Sequence, residues 1–114
     1  MTRFRLFLTF LLVSLLAYTS VTIANHGWNL LPIFFGDMMA MTWPGQFNFD
    51  FFGFLLLSGL WTSWRERFKS KGLILGLFAV FGGILFLSAY LLYLSFKTKG
   101  NIAVMMLGET RVSD

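Results

Sequence analysis

Three long runs of apolar residues, separated by short polar or charged segments, dominate the chain. The first covers residues 4–24, the second residues 48–64 and the third residues 73–96. A helix needs about 20 apolar residues to cross the hydrocarbon core of a bilayer. The pattern therefore predicts an all-α integral membrane bundle of three transmembrane helices, forming a single domain over residues 1–114.

The first run follows Arg3 and Arg5, an arrangement that also fits a secretory signal peptide. Thr22-Ile23-Ala24 is a mediocre cleavage site, and the apolar stretch is longer than a usual signal core. We therefore expect an uncleaved first helix, with a cleaved signal peptide as the alternative.

A further apolar segment, residues 30–42, lies in the loop between the first two predicted spans. It is too short to cross a bilayer, and Pro44-Gly45 predicts a turn that ends it. Trp28 and Trp43 bracket it, and tryptophan prefers the membrane interface. These features predict a short interfacial or re-entrant helix. A fourth span at this segment is rejected because it would also move the basic cluster at residues 65–71 outside.

The positions of the basic residues predict an orientation. Lys and Arg near span ends favour the cytoplasmic side. With a cytoplasmic N-terminus, the cytoplasmic side carries Arg3, Arg5, Arg65, Arg67, Lys69 and Lys71. The outer side then carries Lys97, Lys99 and Arg111. We expect a multi-pass protein of the cell membrane, in bacteria the inner membrane, with its C-terminus outside.

Composition supports a membrane protein and excludes some classes of function. Hydrophobic residues make up 57% of the chain and charged residues 12%, whereas about a quarter of a soluble domain is charged. The net charge is +4, but the basic residues flank the spans, so nucleic acid is not an expected partner. The chain has no cysteine, which excludes disulfides, a thiol nucleophile and a thiolate metal site.

Four polar residues near one side of the predicted bundle are candidate functional groups. Carboxylates at membrane depth are costly and often functional, which singles out Asp50 and, less strongly, Asp37. Asn48 and His26 complete this candidate cluster. The structural alternative is that Asn48 caps the second span and Asp50 lies in its first turn, where the helix dipole favours an anion. The spacing matches no metal-ligand motif, and we expect neither a metal nor a cofactor.

Small residues in the third run predict a helix-packing surface. Gly72, Gly76, Ala79 and Gly83 recur at spacings that place them on one face of a continuous helix. Small residues let membrane helices approach closely. We favour contact with the second span, and the alternatives are a homo-oligomer or a membrane-protein partner at the third span.

The region from Phe47 to Phe96 resembles small bacterial three-span membrane proteins classed as domains of unknown function. It contains Phe-Asn-Phe-Asp-Phe-Phe-Gly-Phe, then Leu-Trp-Thr-Ser-Trp-Arg-Glu-Arg, and a Gly-rich run that ends Ala-Tyr-Leu-Leu-Tyr. Asp50, Trp61 and Arg65 are the positions that correspond to the pattern of those proteins. The resemblance covers under half of the chain and implies no activity.

These features predict a non-enzymatic accessory or interaction protein that works in the lipid bilayer. Two alternatives remain. One is a component of an oligomeric transporter or channel in which Asp50 is the coupling carboxylate. The other is a lipid- or quinone-handling membrane enzyme, although no nucleophile–base pair is recognisable in the sequence.

Overall fold

The computed structural model describes residues 1–112, and these form helices and turns without a β-strand, so the all-α prediction is confirmed. The elements are α1 (Thr2–His26), α2 (Leu30–Ala40), α3 (Trp43–Arg65), α4 (Ser70–Lys97), α5 (Ile102–Leu107) and a 3-10 turn (Glu109–Arg111).

By length and composition alone, two of these segments, α1 with 25 residues and α4 with 28, are candidate membrane spans, although α4 is not one straight helix. Their length and composition favour a membrane location. The helix α3 has 23 residues but is less apolar along its first half, where Gln46, Asn48 and Asp50 interrupt the pattern.

The helix α3 begins earlier than the sequence predicts. Thr42 precedes its first turn in extended conformation, and Pro44 lies within that turn. Proline is favoured in the first turn of a helix because an N–H at that position would have no partner within the helix. The fixed φ of proline is also close to the helical value. Pro44 therefore starts α3 instead of forming a turn before it. Asn48 is inside the helix, so the predictions that it is the cap and that Asp50 lies in the first turn are wrong.

The helix α4 is broken at Gly83, where φ is 55° and ψ is −135°. Residues on both sides of the break reach Glu66: a side chain at Gly72 would lie 2.7 Å from its Cβ, and the Tyr90 hydroxyl bonds its carboxylate. A straight helix would separate positions 72 and 90 by about 27 Å. The chain therefore reverses at Gly83, and α4 is a helical hairpin with arms 70–82 and 84–97.

This reversal corrects the prediction of one continuous third span over residues 73–96. Each arm is about 20 Å long, shorter than the roughly 30 Å hydrocarbon core of a bilayer. The first arm runs antiparallel to α3, and the second arm returns between α3 and α1. Gly83 is not helical, but it still packs against α3 as predicted, because an added Cβ would lie 3.3 Å from Phe51 Cζ and 3.5 Å from Leu55 Cδ2.

The reversal also brings all nine lysines and arginines to one end of the molecule, which we call the basic end. At this end Arg5 bonds Ser95 in the second arm of α4, and Arg65 bonds the carbonyl of Met105. The basic residues gathered there are Arg3, Arg5, Arg65, Arg67, Lys69, Lys71, Lys97, Lys99 and Arg111. The prediction that the C-terminal part lies on the opposite side from residues 65–71 is therefore wrong.

The hydrophobic core is small and lies near the basic end. Tyr90, Leu94 and Met105 are buried together, and Phe4 and Trp61 pack around them. Elsewhere, large apolar side chains on α1, on α3 and on the first arm of α4 are exposed. A surface this apolar is typical of a chain that meets lipid or a partner.

We expect Gly83→Ala to lower the free energy of unfolding by about 1–3 kcal/mol, because residues with a side chain rarely adopt this backbone conformation. The added Cβ would also lie 3.3 Å from Phe51 Cζ. The measurement is unfolding in detergent by titration with dodecyl sulfate. Gly36→Ala is the matched control, since its Cβ would meet nothing within 4 Å. Equal stability of the two variants would contradict the reversal.

Candidate functional site

The most extensive polar network centres on Arg65, the last residue of α3, which is only 6% exposed. Its Nε donates to the carbonyl of Met105 at 2.6 Å and its Nη2 to the carbonyl of Val104 at 3.2 Å. Its Nη1 lies 2.9 Å from Glu66 Oε1 and 3.5 Å from the Tyr90 hydroxyl. Nearly every donor of this buried guanidinium is therefore engaged by its own chain.

The same contacts cap the C-terminal end of α5. The last carbonyls of a helix lack partners within it. Here Arg65 donates to the carbonyls of Val104 and Met105, and Trp61 Nε1 donates to the carbonyl of Met106 at 3.0 Å. The Val104 carbonyl also accepts the Gly108 N–H at 2.9 Å. Arg111 completes the attachment, because its guanidinium lies 4.0 Å from the ring centroid of Trp64. The end of α3 thus holds the C-terminal segment in place.

Glu66 joins the network to the second arm of α4. The Tyr90 hydroxyl donates to Glu66 Oε1 at 2.5 Å. Burial alone would raise the pKa of Glu66, but the hydrogen bond from Tyr90 and the charges of Arg65 and Lys71 outweigh it, so the pKa lies below its ordinary value. The carboxylate therefore stays ionised at neutral pH and remains paired with Arg65.

The turn between α3 and α4 places these groups side by side. Arg67 and Phe68 both adopt positive φ, which makes the connection tight. The Phe68 N–H donates to the carbonyl of Ser63 at 2.8 Å, satisfying a carbonyl at the end of α3. This turn returns the chain at once, so that the first arm of α4 lies directly beside α3.

The predicted cluster of polar residues is only partly brought together. Asn48 faces α2, where its Nδ2 donates to the carbonyl of Phe34 at 3.1 Å. Asp50 instead lines a groove beside Met38 and Gln46. Residues that are two positions apart on a helix are rotated by about 200° around its axis. The side chains of Asn48 and Asp50 therefore lie on different faces of α3.

The other two predicted residues do not line this groove. Asp37 is half-buried in α2, and its backbone crosses α3 at Gly45, where a Cβ could not fit. His26 is the exposed last residue of α1. In residues 1–112, no three histidine or acidic side chains are close enough to hold a metal ion.

The small residues of the first arm of α4 pack against α3. A side chain at Gly76 would lie 3.0 Å from the carbonyl of Gly59, and Ser63 Oγ donates to the carbonyl of Gly72 at 3.1 Å. Ala79 on the same arm is fully buried. Close approach of the two backbones is what small residues permit between membrane helices.

Comparisons with other proteins do not place the chain in a family. No protein-family model matches it, and no curated protein or solved structure is significantly similar to it. The resemblance to small bacterial three-span membrane proteins therefore stays a prediction.

Sequence reasoning missed the network of Arg65, Glu66 and Tyr90. The one available signal was the Gly82-Gly83 pair, because adjacent glycines commonly mark turns. An interruption there would have suggested that Tyr90 returns to the end of α3. The resemblance to small three-span proteins singled out Arg65 but implied no partner for it, and the neighbouring residues gave no sign that it would be buried.

We expect Arg65→Gln to release the C-terminal segment, because the shorter amide cannot reach the carbonyls of Val104 and Met105 together and leaves Glu66 without its opposite charge. Breaking a buried ion pair costs about 3–5 kcal/mol. The measurement is thiol labelling of Met105→Cys, a position 1% exposed in the intact protein.

The matched control is Arg67→Gln. Arg67 is exposed and makes one side-chain hydrogen bond, to Thr110 at 2.7 Å. This variant should label as slowly as the parent. Slow labelling in both variants would mean that Arg65 does not hold the segment.

Proposed function

We propose that this chain is a multi-pass membrane protein with its N-terminus and residues 98–112 on the cytoplasmic side. In this arrangement α1 and α3 cross the bilayer, α2 lies at the outer interface, and α4 is a re-entrant hairpin. The observation that supports it is the collection of all nine lysines and arginines at the basic end, since residues 6–64 contain none. Basic residues favour the cytoplasmic side.

The dimensions of α3 support this placement. From Trp43 to Arg65 the helix rises about 33 Å, close to the thickness of a hydrocarbon core. Trp43 stands at one end of α3, and Trp61 and Trp64 stand at the other. Tryptophans at both ends of a span are typical of the two membrane interfaces.

We further propose that the protein is a non-enzymatic accessory protein that binds another membrane protein. Most buried polar side chains of the described chain support this role, because Thr62, Ser63, Arg65, Ser88 and Ser95 each bond within the chain itself, and the Ser58 hydroxyl is the exception. These side chains stabilise the fold, so few buried polar groups remain that could act on a substrate. Meanwhile α1 packs mainly against α4 and buries only Leu8 fully, which leaves most of its surface open to a partner.

The transporter alternative is favoured by one observation, the groove that Asp50 lines. A carboxylate that couples transport to ion binding would need such a groove, through which the ion or substrate could reach it. The lipid- or quinone-handling enzyme has no comparable support, because Asp50, Asn48 and His26 do not converge.

The topology can be tested with single cysteines, because the chain has none of its own. We expect an impermeant maleimide to label Asn29→Cys in intact spheroplasts. Ser70→Cys and Ile102→Cys should label only after the membrane is permeabilised, because both positions belong to the basic end. Labelling of Ile102→Cys from outside would instead require α4 to cross the bilayer and would refute the re-entrant hairpin.

The accessory role can be tested by photo-crosslinking from α1 in native membranes. A crosslinking residue at Phe10, which is 68% exposed, should yield one adduct of defined mass with a second membrane protein. The control is the same residue at Leu8, which is 3% exposed and should yield no adduct with another protein. A protein that stays uncrosslinked from Phe10, and is monomeric in mild detergent, would not be an accessory subunit.

A further inference from the structure

An open groove of about 890 Å³ runs between α2 and the first half of α3, far from the basic end. Its polar groups come from Thr42, Gln46 and Asp50, and its apolar surface from Met38, Met41 and Phe49. Gly53 also lines it, and a Cβ there would meet nothing within 4 Å. The missing side chain leaves the groove open towards the middle of α3. The volume falls in the range of about 300–1,000 Å³ that is usual for small-molecule sites.

Asp50 lies at membrane depth in the proposed arrangement. It is about 10 Å along α3 from Trp43 and about 22 Å from Arg65. Carboxylates at such depths are costly unless they meet water or a positive group, and Asp50 is exposed to the groove rather than buried among other side chains. The only ion pair in the described part of the chain joins Arg65 to Glu66 at the basic end. With no Lys or Arg from residue 6 to residue 64, the chain has no such cation close to Asp50.

We propose that this groove binds an amphiphilic organic cation, with its ammonium group at Asp50 and its hydrocarbon part along the apolar wall. The Asp50 carboxylate supplies the opposite charge. The face of Phe49 can add a cation–π attraction. Methionine side chains are flexible and polarizable, so Met38 and Met41 can adapt to hydrocarbon groups of different shape. This activity goes beyond the accessory role, and neither the topology nor a partner is needed to measure it.

The charge pattern selects a simple cation over a zwitterionic phospholipid. The phosphate of such a lipid would lie close to its ammonium group and therefore close to Asp50. Phosphate is normally held by Arg or Lys, and both are missing from residues 6–64. A lipid head group would thus leave its negative charge without a partner, whereas a monovalent alkylammonium ion carries no such charge.

The experiment is calorimetric titration of octyltrimethylammonium into the full chain in a neutral maltoside detergent. We expect saturable binding at one site. Asp50→Asn should weaken it at least about tenfold, because the amide keeps the shape of the side chain but not its charge. Gly53→Leu should weaken binding by a similar factor, because its side chain would fill the open floor of the groove.

Asp37→Asn is the matched control, since Asp37 carries the same charge at the same end of the molecule but does not line the groove. It should bind like the parent. Equal weakening in both Asp variants would show general attraction to a negative surface and would overturn the site. Unchanged binding after Asp50→Asn, or a titration that never saturates, would also overturn it.

A competition experiment separates the two sources of an ammonium group. Dodecylphosphocholine carries the same trimethylammonium group together with a phosphate, and we expect it not to displace octyltrimethylammonium from the site. Displacement at equal concentration would overturn the choice of a simple cation in favour of a zwitterionic lipid. Helix content and unfolding midpoint, measured for each variant, establish that a loss of binding is not a loss of fold.

Discussion

The reversal of the chain at Gly83 is the constraint on which the rest of the structure depends. It divides α4, a segment of 28 residues, into two short arms and returns the chain to the end of α3. Tyr90 can therefore reach Glu66, and the C-terminal segment can reach Arg65. Glycine permits this because it has no Cβ to collide with the backbone at positive φ.

Arg65 shows how the chain meets the cost of burying a charge. A buried ion is tolerated when it is paired and its remaining donors are satisfied. Glu66 supplies the opposite charge, and the carbonyls that end α5 accept the remaining hydrogen bonds. One residue thus satisfies its own donors, caps a helix and attaches the C-terminal segment to α3. Arg65 is consequently a structural group, although a buried arginine can equally be a functional one.

Asp50 is the opposite case and gives the two ends of the molecule different character. At the basic end, Glu66 is paired with Arg65. Around Asp50 the chain offers an amide, a hydroxyl and apolar side chains, but no lysine or arginine. Such an imbalance is stable where water or a bound cation completes it. This is the end at which we propose that a ligand binds.

The sequence by itself determined the helical class, the apolar character and the short helix α2, because these follow from local composition and periodicity. It also placed α1 to within two residues at each end. Only the tertiary structure decided that α4 folds back, since a continuous helix and a hairpin have the same apolar pattern. The partners of Arg65 depend on that reversal, because they lie up to 40 residues away along the chain. The groove beside Asp50 also depends on the tertiary structure, because it forms where α2 crosses α3 at Gly45. No local sequence pattern predicts that contact.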